Sequence, residues 1–129
     1  MHTFLAGMIV GMVILQAAVF APVVFTRLDA SMAREVIRAL FPKFFVILTV
    51  LGLGSVVATL LLGGPTLTHY AIAGGSMVLP AICRALIPAT NRARDEGQEG
   101  RFKRLHAVSV WLTMTILFAN IAVVFIAAG

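Results

Sequence analysis

Charge is scarce in this chain and absent over most of it: outside residues 27–43 and 84–104 there is no Asp, Glu, Lys or Arg. Only 12% of positions are charged and 60% are hydrophobic, whereas about a quarter of the residues of a soluble domain are charged. A soluble globular fold is thereby excluded, and the chain reads as an integral membrane protein. No charged side chain lies deep in an uncharged stretch, which argues against a proton-coupled pump or a charge-lined ion channel. Cysteine is nearly missing too. Cys83 stands alone, so neither an internal disulfide nor a cysteine-pair metal motif is available. No nucleophile with a base, no paired carboxylates and no phosphate loop appear, and no enzymatic activity is expected. The apolar run at 3–26 has no positive segment before it and exceeds a signal-peptide core in length, so it reads as an uncleaved first span.

What is present is a topology map. The ten basic and five acidic residues fall in two windows, both net basic, and Lys and Arg next to span ends are retained on the cytoplasmic side. The net charge of +5 therefore reflects orientation and anionic lipid headgroups at the cytoplasmic face, and no nucleic-acid partner is expected. Four stretches that carry charge at most near one end, near 3–26, 43–62, 67–87 and 105–127, are each long enough to cross a hydrocarbon core of about 30 Å. The expected fold is all-α: four transmembrane helices in an up-down bundle, one domain over residues 1–129. Segments 27–42 and 88–104 face the cytoplasm, and both termini lie outside, N-out and C-out. Gly63, Gly64 and Pro65 form the outer turn.

Between spans one and two, Met32, Val36, Ile37, Leu40 and Phe41 recur at helical spacing, with Arg34, Glu35 and Arg38 on another face. That segment reads either as a short amphipathic interfacial helix over 28–41 or as an extension of span two interrupted near Pro42. Asp29 and Ser31 are its candidate caps. Residues 91–104, with Gly97, Gly100 and mixed charge, read as a solvated loop or frayed helix end. Pro22 and Pro80 are expected to kink or open their spans.

Helices in lipid associate through small residues that let backbones approach. Gly7 and Gly11 form a GxxxG extended by Ala18; Gly54 with Ala58, and Ala71 with Gly75, offer further packing faces. Gln16, Thr113 and Asn120 are polar at membrane depth, where helix-to-helix hydrogen bonds are their ordinary use. Metal or haem ligation needs His, Cys or Met at one depth. His2, Met8, Met12 and His69 share the outer half, a conceivable soft Cu(I) set; Cys83 and His106 share the inner interface. His69 and His106 lie on opposite sides, so one chain cannot use both on a single haem. Methionines at helical spacing are ordinarily packing residues, and no cofactor is the leading expectation.

Ala21-Pro22-Val23-Val24-Phe25, and then Ile37-Arg38-Ala39-Leu40-Phe41-Pro42, resemble the small bacterial membrane proteins grouped as domain of unknown function 4149, related to the transmembrane-protein-205 group. Ile87-Pro88-Ala89-Thr90-Asn91-Arg92-Ala93-Arg94-Asp95, followed by Phe102-Lys103-Arg104-Leu105-His106 and Ser109-Val110, is similar to the second half of that family. The resemblance implies four membrane helices, a bacterial inner-membrane location with periplasmic termini, and no established reaction. For the eukaryotic branch it implies a suggested part in drug resistance and secretion. It draws attention to Pro22, Pro42, Asn91, Arg94, Asp95, Arg104 and His106, for which fixing helix ends and a cytoplasmic salt-bridge network is the plainer role. The chain departs from the family pattern where Thr113 and Ile116 stand.

Three functional readings follow. The first is a non-enzymatic protein acting through helix contacts, as an accessory or assembly subunit of a larger membrane complex or as a homo-oligomer. The second is a small carrier or metal- or haem-handling protein using the His, Met and Cys residues. The third, catalysis on a lipid or quinone around His106 and Arg104, lacks a recognisable set of groups.

Overall fold

A computed structural model describes residues 1–64 and 66–128, and the side chains of all of these but 127 and 128. Among them no strand occurs, and four helices long and apolar enough to cross a membrane account for nearly the whole chain. They are α1 (His2–Arg27), α2 (Ala30–Leu62), α3 (Leu67–Asp95) and α4 (Glu99–Ala128). Each packs on its sequence neighbour and α4 closes back on α1, giving a four-membered up-down ring. The core runs through Ile9, Val13, Phe44, Phe45, Leu48, Cys83 and Ile116. Most large apolar side chains elsewhere face outward, among them Trp111, Phe118 and Leu61, as expected where lipid takes the place of water.

Of the two readings of segment 28–41, the extension of span two holds: residues from Ala30 on are part of α2, which runs through Pro42 without the expected interruption. At about 1.5 Å per residue, its 33 residues span about 50 Å and outreach the membrane core. Two contacts hold the protruding turns. Asp29 caps them by accepting from the Met32 N–H (2.8 Å), and Arg38 pairs with Asp95 of α3 (2.6 Å). A helix lying flat on the membrane would forfeit that pair. The expected inner loop also contracts, because α3 continues to Asp95 and α4 begins at Glu99. Gly97 makes the turn in the left-handed region (φ +71°), which residues with a Cβ rarely adopt.

Pro22 acts through the turn before it. Residues Gln16–Phe20 form a π-helical turn, in which the Ala21 N–H reaches Gln16 O, five residues back. An inserted residue of this kind relieves the clash of the proline ring with the preceding turn. Pro80 shapes the α2–α3 contact. Lacking an N–H, it leaves the Ser76 carbonyl without its usual i+4 donor, and that carbonyl faces Gly52, where an added Cβ would overlap it. Gly52, not Gly54, is the point of closest backbone approach. A Cβ on Gly54 would meet Leu5 of α1 at an ordinary 3.7 Å.

Candidate functional site

Polar side chains concentrate at the uncharged end of the bundle, the end that carries both termini. His2 enters from the first turn of α1, Ser55 and Thr59 from α2, His69 from the first turn of α3 and Asn120 from α4; together they line one cavity. Its volume, about 20 Å³, fits one water molecule or a bare ion. A haem or quinone is far too large for it. Thr59, His69 and Asn120 are 1%, 5% and 2% exposed.

Four of these groups are held by identifiable partners. Ser55 Oγ donates to the Leu51 carbonyl (3.1 Å). Thr59 Oγ1 donates to the Ser55 carbonyl (2.7 Å). Asn120 Nδ2 donates to Ser76 Oγ (2.8 Å), tying α4 to α3, and to Ile116 O within its own helix. The Thr66 hydroxyl lies 2.9 Å from His69 Nδ1, which fixes that ring. The His2 and His69 rings are nearly perpendicular, with centroids 5.9 Å apart at 85°. His2 Nε2 is buried without a hydrogen-bond partner. An unsatisfied buried polar group costs about 1–3 kcal/mol, so its persistence here calls for an explanation.

The structure thus brings His2 and His69 together and leaves the other proposed ligands elsewhere. Met8 faces outward and Met12 packs on the core. Cys83 and His106 do not meet. Cys83 is fully buried with Sγ toward Ser109 O (3.8 Å), whereas His106 is exposed and stacked on Phe102 (5.7 Å). Among the described residues no three His, Cys, Asp or Glu side chains gather at one place.

The helix-packing candidates separate in the same way. Ala58 is buried. Gly75 lines an apolar groove between α3 and α4 of about 230 Å³. Gln16 is buried at the start of the π turn, and Thr113 donates within α4 to Ser109 O (2.7 Å). Gly7, Gly11 and Ala18 face outward, with nothing within 4 Å of a Cβ added to either glycine.

At the charged end, Arg38 donates to both Asp95 oxygens and to the Asn91 carbonyl. The Arg38 hydrogen bond holds the Asp95 carboxyl, which lies beyond the apolar part of α3, below its usual pKa. Arg94 sits over the Phe102 ring (4.7 Å), and Phe102 stacks on His106, so these three form a column bridging α3 and α4. Arg104 is exposed. Pro22 contributes its carbonyl to the Thr26 hydroxyl (2.7 Å).

A family model described as Domain of unknown function (DUF4149) matches residues 4–99. The chain belongs to the DUF4149 family. The match takes in α1, α2 and α3 and stops where α4 begins, so the likeness at Phe102–His106 lies beyond it. His69, Gly52, Arg38 and Asp95 all fall within the matched stretch. No curated protein and no solved structure matches the chain. The partner of Arg38 and the close approach at Gly52 are not legible in the sequence. The period-3.6 pattern places Arg38 on the polar face of its segment without naming a partner, and only the α3 sequence opposite Gly52, with Pro80 four residues after Ser76, carries a hint of the close crossing.

Proposed function

We propose that this DUF4149 member is a non-enzymatic membrane subunit acting through lateral helix contacts, as a homo-oligomer or as an accessory or assembly subunit of a larger complex. One observation carries this reading: Gly7, Gly11 and Ala18 form a small-residue face that the bundle does not use. In lipid such a face allows another helix's backbone to approach closely. Basic residues at one end favour an inner-membrane orientation with that end cytoplasmic, in contact with anionic headgroups, and both termini periplasmic. Native mass spectrometry of the chain extracted from its own membrane tests the reading. Multimers or a co-purifying subunit that are lost in Gly7→Leu/Gly11→Leu support it; a solitary monomer overturns it.

A second reading, a small metal-handling carrier, is favoured by the paired His2 and His69 rings at the cavity.

A further inference from the structure

We propose that His2 and His69 form a two-coordinate site for a monovalent soft cation, Cu(I), at the uncharged end of the bundle. The proposal deepens the carrier reading by naming its ion and ligands, but it is tested on binding alone.

The ring spacing admits an ion between the two imidazoles. A metal about 2.0 Å from an imidazole nitrogen lies about 3.1 Å from the ring centroid. Two rings directly opposite each other across such an ion are then about 6.2 Å apart centre to centre, against about 5 Å at a tetrahedral angle. The observed separation is 5.9 Å, between the two, which corresponds to a bent angle of roughly 145° at the ion. A two-coordinate ion leaves the twist between the rings free, so the 85° interplanar angle carries no penalty.

The surroundings select the charge. No third His, Cys or carboxylate joins the pair among the described residues. The remaining polar lining, Ser55, Thr59 and Asn120, is neutral and offers a divalent ion no charge compensation. Burying one positive charge is far less costly than burying two, and imidazole is an established copper donor. The cavity admits a bare ion. Both rings are also prepared for the role. Thr66 steadies His69 at Nδ1, and with Nδ1–H donating to that hydroxyl the lone pair falls on Nε2, the second-partner arrangement usual for ligating histidines. His2 Nε2 already lacks any other partner. Binding occupies that orphan nitrogen.

The test uses the full chain in detergent, titrated with Cu(I) under a reductant against a chromogenic Cu(I) chelator. The expected result is one equivalent retained by the parent and by His106→Ala, at least a tenfold weaker retention in both His2→Ala and His69→Ala, and an X-ray absorption edge of a two-coordinate nitrogen site. No retention by the parent overturns the proposal. So does retention undiminished in either cavity variant, or its loss in Met8→Leu/Met12→Leu. Circular dichroism and thermal melting of each variant separate lost ligands from lost folding. Binding that obeys these rules in a protein whose deletion leaves cellular copper unchanged refutes the carrier reading and leaves the site intact.

Discussion

Gly52→Ala tests the central packing argument, because the added methyl has one destination. It would overlap the Ser76 carbonyl and the Met77 nitrogen of α3, all backbone atoms that cannot rotate aside. α2 and α3 must therefore separate, and this pair forms the largest helix contact in the bundle. Overpacking a well-filled core costs about 1–3 kcal/mol, and a clash with backbone belongs at the upper end of that range. Separation also moves Ser76 away from Asn120, weakening a buried interhelical bond of 2.8 Å that is worth about 0.6–2 kcal/mol in membrane bundles. Together these predict a loss of about 3–4 kcal/mol. The comparison is Gly54→Ala, whose methyl meets Leu5 at 3.7 Å; replacing a helical glycine there is expected to be neutral or mildly stabilising. Reversible unfolding in mixed micelles measures both. If Gly52→Ala unfolds at the same denaturant fraction as Gly54→Ala, the tight crossing and the role given to Pro80 are refuted.

Two further outcomes follow from the same geometry. Asn120→Leu keeps the bulk and removes the bonds to Ser76 and Ile116, so stability should fall by about 1 kcal/mol, read as a lower melting temperature; an unchanged melt would show that the amide contributes nothing. The Arg38–Asp95 pair should respond to acid. Because the folded carboxyl titrates below its ordinary value, its contribution is fully present above the unfolded pKa of about 3.9 and is lost as pH falls through the lower folded value. Asp95→Asn should therefore melt below the parent at neutral pH and converge with it in acid, and a gap that persists at low pH would contradict the assignment.

The sequence by itself determined what depends on composition and on span length. Uncharged runs with charged flanks leave only spanning helices as a way to satisfy the backbone in lipid, so the four helices, their alternation and the turn beginning at Gly63 were legible from residue types alone, whereas the tight turn at Gly97 was not. The resemblance at Pro22, Arg38 and Asn91–Asp95 also pointed to the family. What eluded that reading depends on partners far away in the chain. Residues 30–41 are amphipathic whether they lie on the membrane or continue α2, and only the Asp95 carboxylate on α3 decides for continuation. Gly7, Gly11, Gly52 and Gly54 are indistinguishable as letters, yet only Gly52 meets a carbonyl freed by Pro80. Of the scattered His, Met and Cys residues, tertiary packing joined His2 to His69, turned Met8 outward and buried Cys83 away from His106. Helix formation is a local consequence of hydrophobicity and backbone hydrogen bonding, whereas rotation about each helix axis is fixed only by the neighbours it packs against, and that rotation decides which side chains share a site.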